Sequence, residues 1–290
     1  MTTLPRRADT ADTADEASDG REHDGYHLGP SAAERARLLV QRDVLAPETA
    51  WLLDRLAPEV GGQVVDVGCG PLGILPELAA RVGPTGRVVG LDRDRVMLSD
   101  AGHNLIARGL DEVELVVGDA MATGLPGDTF DLAHVRLLLV NVRHPETVLA
   151  ELVRIVRPGG TVAVQEVDWI CWQCQPPHPA WEALRNVMWR WWDLKGLDPY
   201  LGRQLPTMLR DAGLEDVASM AHTGLDVATD PYQGLLVQFA RHFHDELVAA
   251  DLIGAHRLDL LIESVESHLA DPRTTVIRAL CVQAWGRKPA

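Results

Sequence analysis

Gln63-Val64-Val65-Asp66-Val67-Gly68-Cys69-Gly70-Pro71-Leu72-Gly73 decides the fold. A short β-rich run enters Gly68-x-Gly70-x-x-Gly73 and leaves in a helical pattern, so a strand delivers the chain to a tight turn at a helix start. Glycine lets backbone amides approach a ligand closely. Taken alone, the six-residue pattern suggests a dinucleotide. Asp66, two positions before the first glycine, argues otherwise. A carboxylate there would face the diphosphate of NAD or FAD in a water-poor site, where like charges repel strongly. It suits a ligand that carries an ammonium group.

Outward from this turn, residues 63–160 alternate β-rich runs with helical ones. The spacing predicts strands at 63–67, 87–91, 113–117, 130–136 and 161–167, with helices at 72–82, 94–109 and 145–156. Arg157-Pro158-Gly159-Gly160 ends the last of these helices and turns into the next strand. Such alternation implies right-handed βαβ units and a parallel sheet covered on both faces. Two more acids then stand at strand ends. Asp92 closes the second strand, where a carboxylate can accept hydrogen bonds from both ribose hydroxyls, a device NAD enzymes share. Asp119, in Val117-Gly118-Asp119-Ala120, can accept from an adenine exocyclic amine while the adjacent backbone reads the ring.

With these pieces in view, residues 63–168 resemble the core of the class I S-adenosylmethionine-dependent methyltransferases. The matching motifs are Val65-Asp66-Val67-Gly68-Cys69-Gly70, Asp92, Gly118-Asp119-Ala120, Phe130-Asp131 and Arg157-Pro158-Gly159-Gly160. Tyr26-His27-Leu28-Gly29 and Leu201-Gly202-Arg203-Gln204-Leu205-Pro206 are similar to segments of bacterial small-molecule methyltransferases. The resemblance implies a Rossmann-like, doubly wound α/β fold. Its seven-stranded sheet would be mostly parallel, with the last strand inserted antiparallel. It also implies S-adenosylmethionine as cofactor and S-adenosylhomocysteine as product. Asp66, Gly68 and Gly70 would hold the methionyl end, with Tyr26 closing over it. Asp92, with Arg93 beside it, would take the ribose, and Asp119 with Ala120 the adenine. Met97 would pack on the adenine face, and Arg136 would complete the cofactor set. Pro71-Leu72 lengthen the spacing to Gly73, which is therefore expected to pack a helix rather than touch the ligand.

The flanks add a frame. Residues 1–24 carry seven acids against three arginines and little apolar content, the signature of a disordered acidic tail. Residues 25–60 read as an N-terminal helical cap: Ser31 with Glu34 forms a capping box, and Pro47 starts a second helix. The methyltransferase domain would occupy 61–290, with insertions at about 169–200 and 229–272. Six of the eight tryptophans fall between 169 and 194. Helical spacing puts Trp181, Leu184, Met188 and Trp191 on one face and leaves Trp189 and Trp192 off it. Two readings stand for this segment: plain core or dimer interface, or a lid whose aromatics line a pocket. Residues 201–212 then read as a helix, 217–227 as a strand, 230–270 as helical and 275–285 as a last strand.

With 27 basic against 42 acidic residues the net charge is −15, which repels phosphate backbones and argues against nucleic acid as partner. No run is long and apolar enough to span a bilayer, and the first residues lack a secretory h-region, so a cytoplasmic setting is expected. The aromatic excess is compatible with a homodimer or higher homo-oligomer. Cys171-x-x-Cys174 with His178 could ligate a metal; two reduced thiols without metal are the preferred reading, because structural zinc usually shows two paired clusters.

Acceptor-side candidates lie beyond strands four and five: Arg136, Asn141, His144, Glu166 and Asp168. His144 is a candidate base; a surface residue ahead of the helix that Pro145 starts is the preferred reading. One of Glu166 and Asp168 is expected to face the pocket and bind an amine or indole N–H. His134, inside a strand, reads as packed. The function that follows is in-line methyl transfer to a small hydrophobic, aromatic or amine-bearing metabolite, as in natural-product tailoring. Rival readings are a non-methylating cyclisation or decarboxylation on the same cofactor, an NAD-dependent oxidoreductase, and an interaction module. The NAD reading lacks a Tyr-x-x-x-Lys, and the module leaves three strand-end acids without a use.

Overall fold

The computed structural model describes Gly29 and residues 31–290. The expected acidic tail and Tyr26 lie outside the described residues. Two helices come first, α1 (Ala32–Val44) and α2 (Ala46–Leu56), followed by β1 (Gln63–Val67), α3 (Leu75–Val82), β2 (Arg87–Asp92) and α4 (Arg95–Ile106). The core continues through β3 (Glu114–Val117), β4 (Phe130–Arg136), α5 (Pro145–Ile155) and β5 (Val156–Asp168). Beyond it lie β6 (Gln173–Gln175), α6 (Pro179–Lys195), α7 (Leu205–Asp211), β7 (Glu215–His222) and β8 (Leu225–Asp226). The chain ends with α8 (Leu235–His242), α9 (His244–Ala249), α10 (Ala255–Leu269), β9 (Thr275–Ile277) and β10 (Leu280–Arg287).

Seven strands form one sheet in the order β3-β2-β1-β4-β5-β10-β7. Pairing is parallel from β3 to β5, and β10 is inserted antiparallel between β5 and β7. β1 lies near the centre with Val64, Val65 and Val67 fully buried, as a strand covered on both faces requires. The order reverses between β1 and β4, so the carboxyl ends of these strands open a crevice suited to a ligand. Asp94 starts α4 by accepting from the amides of Val96 (2.7 Å) and Met97 (3.2 Å), while Pro145 and Pro179 open α5 and α6.

Some expectations shift. Only half of the Ser31 capping box forms: Ser31 accepts from the Glu34 amide at 3.1 Å, but the Glu34 carboxylate turns to Arg37. α3 starts at Leu75 rather than near 72, because residues 71–74 continue the turn. Arg157-Pro158-Gly159-Gly160 does not separate helix from strand but lies inside β5, with Gly159 at φ 76° and a register shift against β4. The single strand expected at 275–285 is two. β9 joins β6 and β8 in a small separate sheet, and β10 enters the main one.

The two insertions, with this small sheet, pack together as a lid. Its core gathers Trp169, Trp172, Trp181, Leu184, Met188 and Trp191 with Leu236, Phe239, Phe243, Leu258 and Ile262. Two further apolar clusters hold the sheet and its helices. No helix among the described residues is long and apolar enough to cross a membrane.

Candidate donor and acceptor site

The glycine turn is shaped by its neighbours on the sheet. The amides of Gly68 and Cys69 donate to the Leu91 carbonyl at 2.7 and 3.0 Å, tying the turn to the end of β2. Gly68 has φ 73°, and a Cβ there would strike the Leu138 side chain; only glycine fits. Asp92 fastens the turn from the other side. Its carboxylate accepts from the Gly70 amide and from the Asp94 amide, both at 2.9 Å. Burial pushes the Asp92 pKa above the usual aspartate range, partly offset by those two amides.

Asp66 is 2% exposed and sits beneath the turn. One oxygen meets His134 Nδ1 at 2.8 Å and the other accepts from the Ile74 amide at 3.0 Å. A Cβ on Gly73 would fall on this carboxylate, and the Gly73 carbonyl accepts from Arg42 Nε at 3.0 Å. Gly73 also lines the cavity, so its expected role as a helix-packing residue is corrected. The chain needs glycine there to make room for Asp66. His134 is fully buried between Asp66 and Gln165, whose Oε1 lies 2.9 Å from His134 Nε2. From β4 it ties together the two neighbouring strands, β1 through Asp66 and β5 through Gln165.

One cavity unites most of the residues expected to hold cofactor. Asp66, Gly68, Gly70, Asp92, Arg93, Met97, Asp119, Ala120 and Arg136 all line it. Asp119 is exposed in the loop after β3 and accepts from the Met121 amide at 2.8 Å. These features fit an S-adenosyl ligand: a turn with no room for a side chain, acids at three successive strand ends, and a buried methionine on α4. The cavity continues from the glycine turn to side chains of the lid, so that the strand-end acids and lid aromatics line one space.

The far wall of the cavity is aromatic and comes from the lid. Trp169 stacks on Trp192 with centroids 5.5 Å apart, and Phe239 stands edge-on to both, at 6.1 and 6.4 Å. Trp191 and Phe243 pair at 4.0 Å. All five line the cavity with Tyr232, whose hydroxyl accepts from Gln41 Nε2 at 2.9 Å. Of the two readings of the tryptophan-rich segment, both describe part of it. Trp181 is pure core, whereas Trp169, Trp191 and Trp192 face the cavity. Sequence reasoning missed Arg37, Gln41 and Arg42 on α1 and Tyr232, Phe239 and Phe243 near α8. The spacing of Arg37 and Gln41, one helical turn apart, was the only local signal.

The acceptor-side acids and the base candidate lie elsewhere. His144 is 64% exposed at its side chain, 3.2 Å from Glu146, and does not line the cavity. Glu166 is fully buried behind the wall, accepting from the amides of Leu139 (2.9 Å) and Val167 (3.2 Å). Loss of water there pushes its pKa up to about 8. Asp168 accepts from the Ile170 amide at 3.0 Å and holds Arg203 through two hydrogen bonds, one of 2.7 Å. Neither acid reaches the cavity. The physical reason is that the loop after β4 and the segment after α6 supply partners that draw both carboxylates into the protein. The Cys171 thiol donates to the Arg278 carbonyl at 3.1 Å, Cys174 donates to that of Pro176 at 3.4 Å, and His178 stacks on His268. Among the described residues no three His, Cys, Asp or Glu side chains are grouped to hold a metal.

Comparison with known proteins agrees with this geometry. Residues 64–160 match the family model of a methyltransferase domain. The chain is 31% identical over 189 residues to the demethylmenaquinone methyltransferase of Geobacillus sp. (strain WCH70), covering 59% of this chain and 78% of that one. It is 39% identical over 122 residues to the enzyme of the same name from Anoxybacillus flavithermus, covering 41% and 52%. The matched stretch thus spans about half the length of the first curated relatives it meets. Among solved structures, it superposes on phosphoethanolamine N-methyltransferase 2 of Haemonchus contortus with a TM-score of 0.57 at 15% identity, over 91% of this chain and 59% of that one. That likeness speaks for the fold alone.

Proposed function

The chain belongs to the class I S-adenosylmethionine-dependent methyltransferases, and from that premise we propose that it moves the donor's methyl group onto a small molecule held against the aromatic wall. The observation that carries this reading is the single cavity running from the Gly68 turn to Trp169, Trp192 and Phe239. The sulfonium donor supplies an already activated methyl group. The chain therefore has to bind, align and keep water out, and alignment of two bound partners can lower a barrier by about 7–11 kcal/mol at best.

In this reading Asp92 and Asp119 take the ribose and adenine ends and Met97 the adenine face, which their shared cavity lining supports. Gly68 and Gly70 let the backbone come close to the amino-acid end above Asp66. Leu138, packed on Gly68, and the lid aromatics form a water-poor surround in which the acceptor is held. The acidic surface (net charge −15) supports a small molecule over nucleic acid as acceptor, and the apolar wall supports a role in tailoring hydrophobic metabolites. Calorimetry tests the premise. S-adenosylhomocysteine should bind at micromolar concentration, and Asp92→Ala should weaken it by about 10–100-fold, since two hydrogen bonds to a charged group are lost. Unchanged binding in Asp92→Ala would remove the donor assignment. With acceptor present, product mass should rise by one methylene unit; a product of unchanged mass would speak for a non-methylating reaction.

A further inference from the structure

The charge around the acceptor space says which molecule belongs there; the argument rests on the methyl-transfer reading above. Glu166 and Asp168, one of which was expected to bind an amine, are turned away and satisfied within the wall. The same cavity presents guanidinium groups, those of Arg37, Arg42 and Arg136 among them. Two are neutralised: Arg37 is held bidentately by Glu34 (2.6 and 2.7 Å), and Arg42 by Glu77 and Asp43.

Arg136 differs. It stands at the end of β4, lines the cavity and donates to the Thr49 hydroxyl at 3.1 Å. Among the described residues it forms no ion pair. Asp66 lies near, but its oxygens already serve His134 and Ile74. Loss of hydration pulls the Arg136 pKa down, the mark of a cation held without sufficient compensation. A guanidinium offers five donors in a planar fork and stays charged, and a desolvated cation is costly until an anion meets it. The same cavity has a wall of Trp169, Trp192 and Phe239 rings in stacked and edge-on contact, which favours a flat aromatic guest. A cationic guest would meet both Arg136 and the positive sulfonium of the donor.

We infer that the acceptor is a flat aromatic molecule bearing an anionic oxygen, with its rings on the Trp169–Trp192–Phe239 wall and the oxygen toward Arg136. Three probes of one shape test this by calorimetry on the full chain saturated with S-adenosylhomocysteine: naphthoate, naphthylmethanol and naphthylmethylamine. Naphthoate should bind about tenfold or more tightly than the amine, in line with one charge-assisted hydrogen bond. Arg136→Met should bring naphthoate down to the level of the alcohol and leave the alcohol unchanged. Arg136→Lys, which keeps the charge but loses the fork, should fall between. Trp192→Ala should weaken all three.

Equal or tighter binding of the amine in the unsubstituted protein overturns the inference whether or not the variants fold. So does an anion preference present in the free protein and absent in the S-adenosylhomocysteine complex, because Arg136 would then belong to the donor's carboxylate. Failure of S-adenosylhomocysteine itself to bind would sink the methyl-transfer reading and this inference with it. Its binding without any anion preference would sink this inference alone.

Discussion

The donor side of the cavity and its aromatic side are assembled differently. Asp66 and Asp92 lie at the carboxyl ends of β1 and β2 and Asp119 just past β3, within a run of 54 residues (66 to 119), and the sheet's hydrogen bonds fix these strand ends relative to one another. The aromatic side draws Gln41 from α1, Trp191 and Trp192 from α6, and Phe239 from α8, with Tyr232 and Phe243 flanking that last helix. Nothing in the local backbone brings these together. They meet because the lid has an apolar core of its own. On the proposed reading, a seat that must always accept the same donor sits on rigid strands, and the wall that would set the choice of acceptor rests on packing that can change without disturbing it.

The sharpest way to break this contrast is Trp181→Ala. Trp181 is 0% exposed in the lid core, edge-on to Trp172 at 5.6 Å, and does not line the cavity. Truncating a buried tryptophan costs about 3–5 kcal/mol, so a fall in Tm and loss of acceptor binding are expected. At a temperature where the fold persists, S-adenosylhomocysteine affinity should stay within about threefold, a change of under 1 kcal/mol. A parallel collapse of donor binding would mean the two sides are one unit. The mirror experiment is Gly68→Val. A β-branched side chain at φ 73° that also strikes Leu138 should weaken donor binding by about a hundredfold, since strain and overpacking each cost roughly 1–3 kcal/mol. Trp192 emission should report an acceptor wall still formed.

How much of this the sequence disclosed follows the same division. Strand ends and glycine turns are local events, so Asp66, Asp92 and Asp119 could be placed from hydrophobic periodicity and turn chemistry. Side chains that meet across 191 residues, as Gln41 and Tyr232 do, leave no such trace. Glu166 and Asp168 were visible as strand-end acids, but their direction depends on Leu139 and Arg203, which no local pattern brings near. Alternation ran smoothly through 275–285, so the break between β9 and β10 was hidden. There Arg278 leaves the strands to pair with buried Asp226. Gly73 was misjudged because motif spacing says what a ligand needs, not what a neighbouring carboxylate needs.

Glu166 lies between the two sides, since the loop it holds carries Leu138 over Gly68 and Val140 into the cavity wall. Its pKa, raised to about 8 by burial, makes that loop sensitive to pH. The folded state holds the proton more tightly than the unfolded chain, whose glutamate titrates near 4.3. Its stabilising effect is therefore complete below about pH 4 and is lost as pH rises through about 8, at up to roughly 1.4 kcal/mol per pH unit. Glu166→Gln keeps a neutral side chain and should flatten that decline. Tm measured from pH 5 to 9 should fall more steeply in the unsubstituted protein than in the variant. Parallel curves would show that the carboxyl stays ionised among its amide donors.

The smallest expected effect belongs to His144→Ala. An imidazole at the start of α5 is well placed in sequence to act as a base near the acceptor. In the fold it is exposed, touches Glu146 and contributes nothing to the cavity lining. An exposed pair of this kind is worth about 0–1 kcal/mol, and surface substitutions away from special features usually fall within about 0.5 kcal/mol. Methyl-transfer rate and its pH profile should both be unchanged, because a base must come within hydrogen-bond reach of the proton it takes. Loss of a limb near the ordinary histidine pKa would instead show that the loop around residues 141–144 folds inward when acceptor binds. The aromatic side would then have to be redrawn around a residue that now points to water.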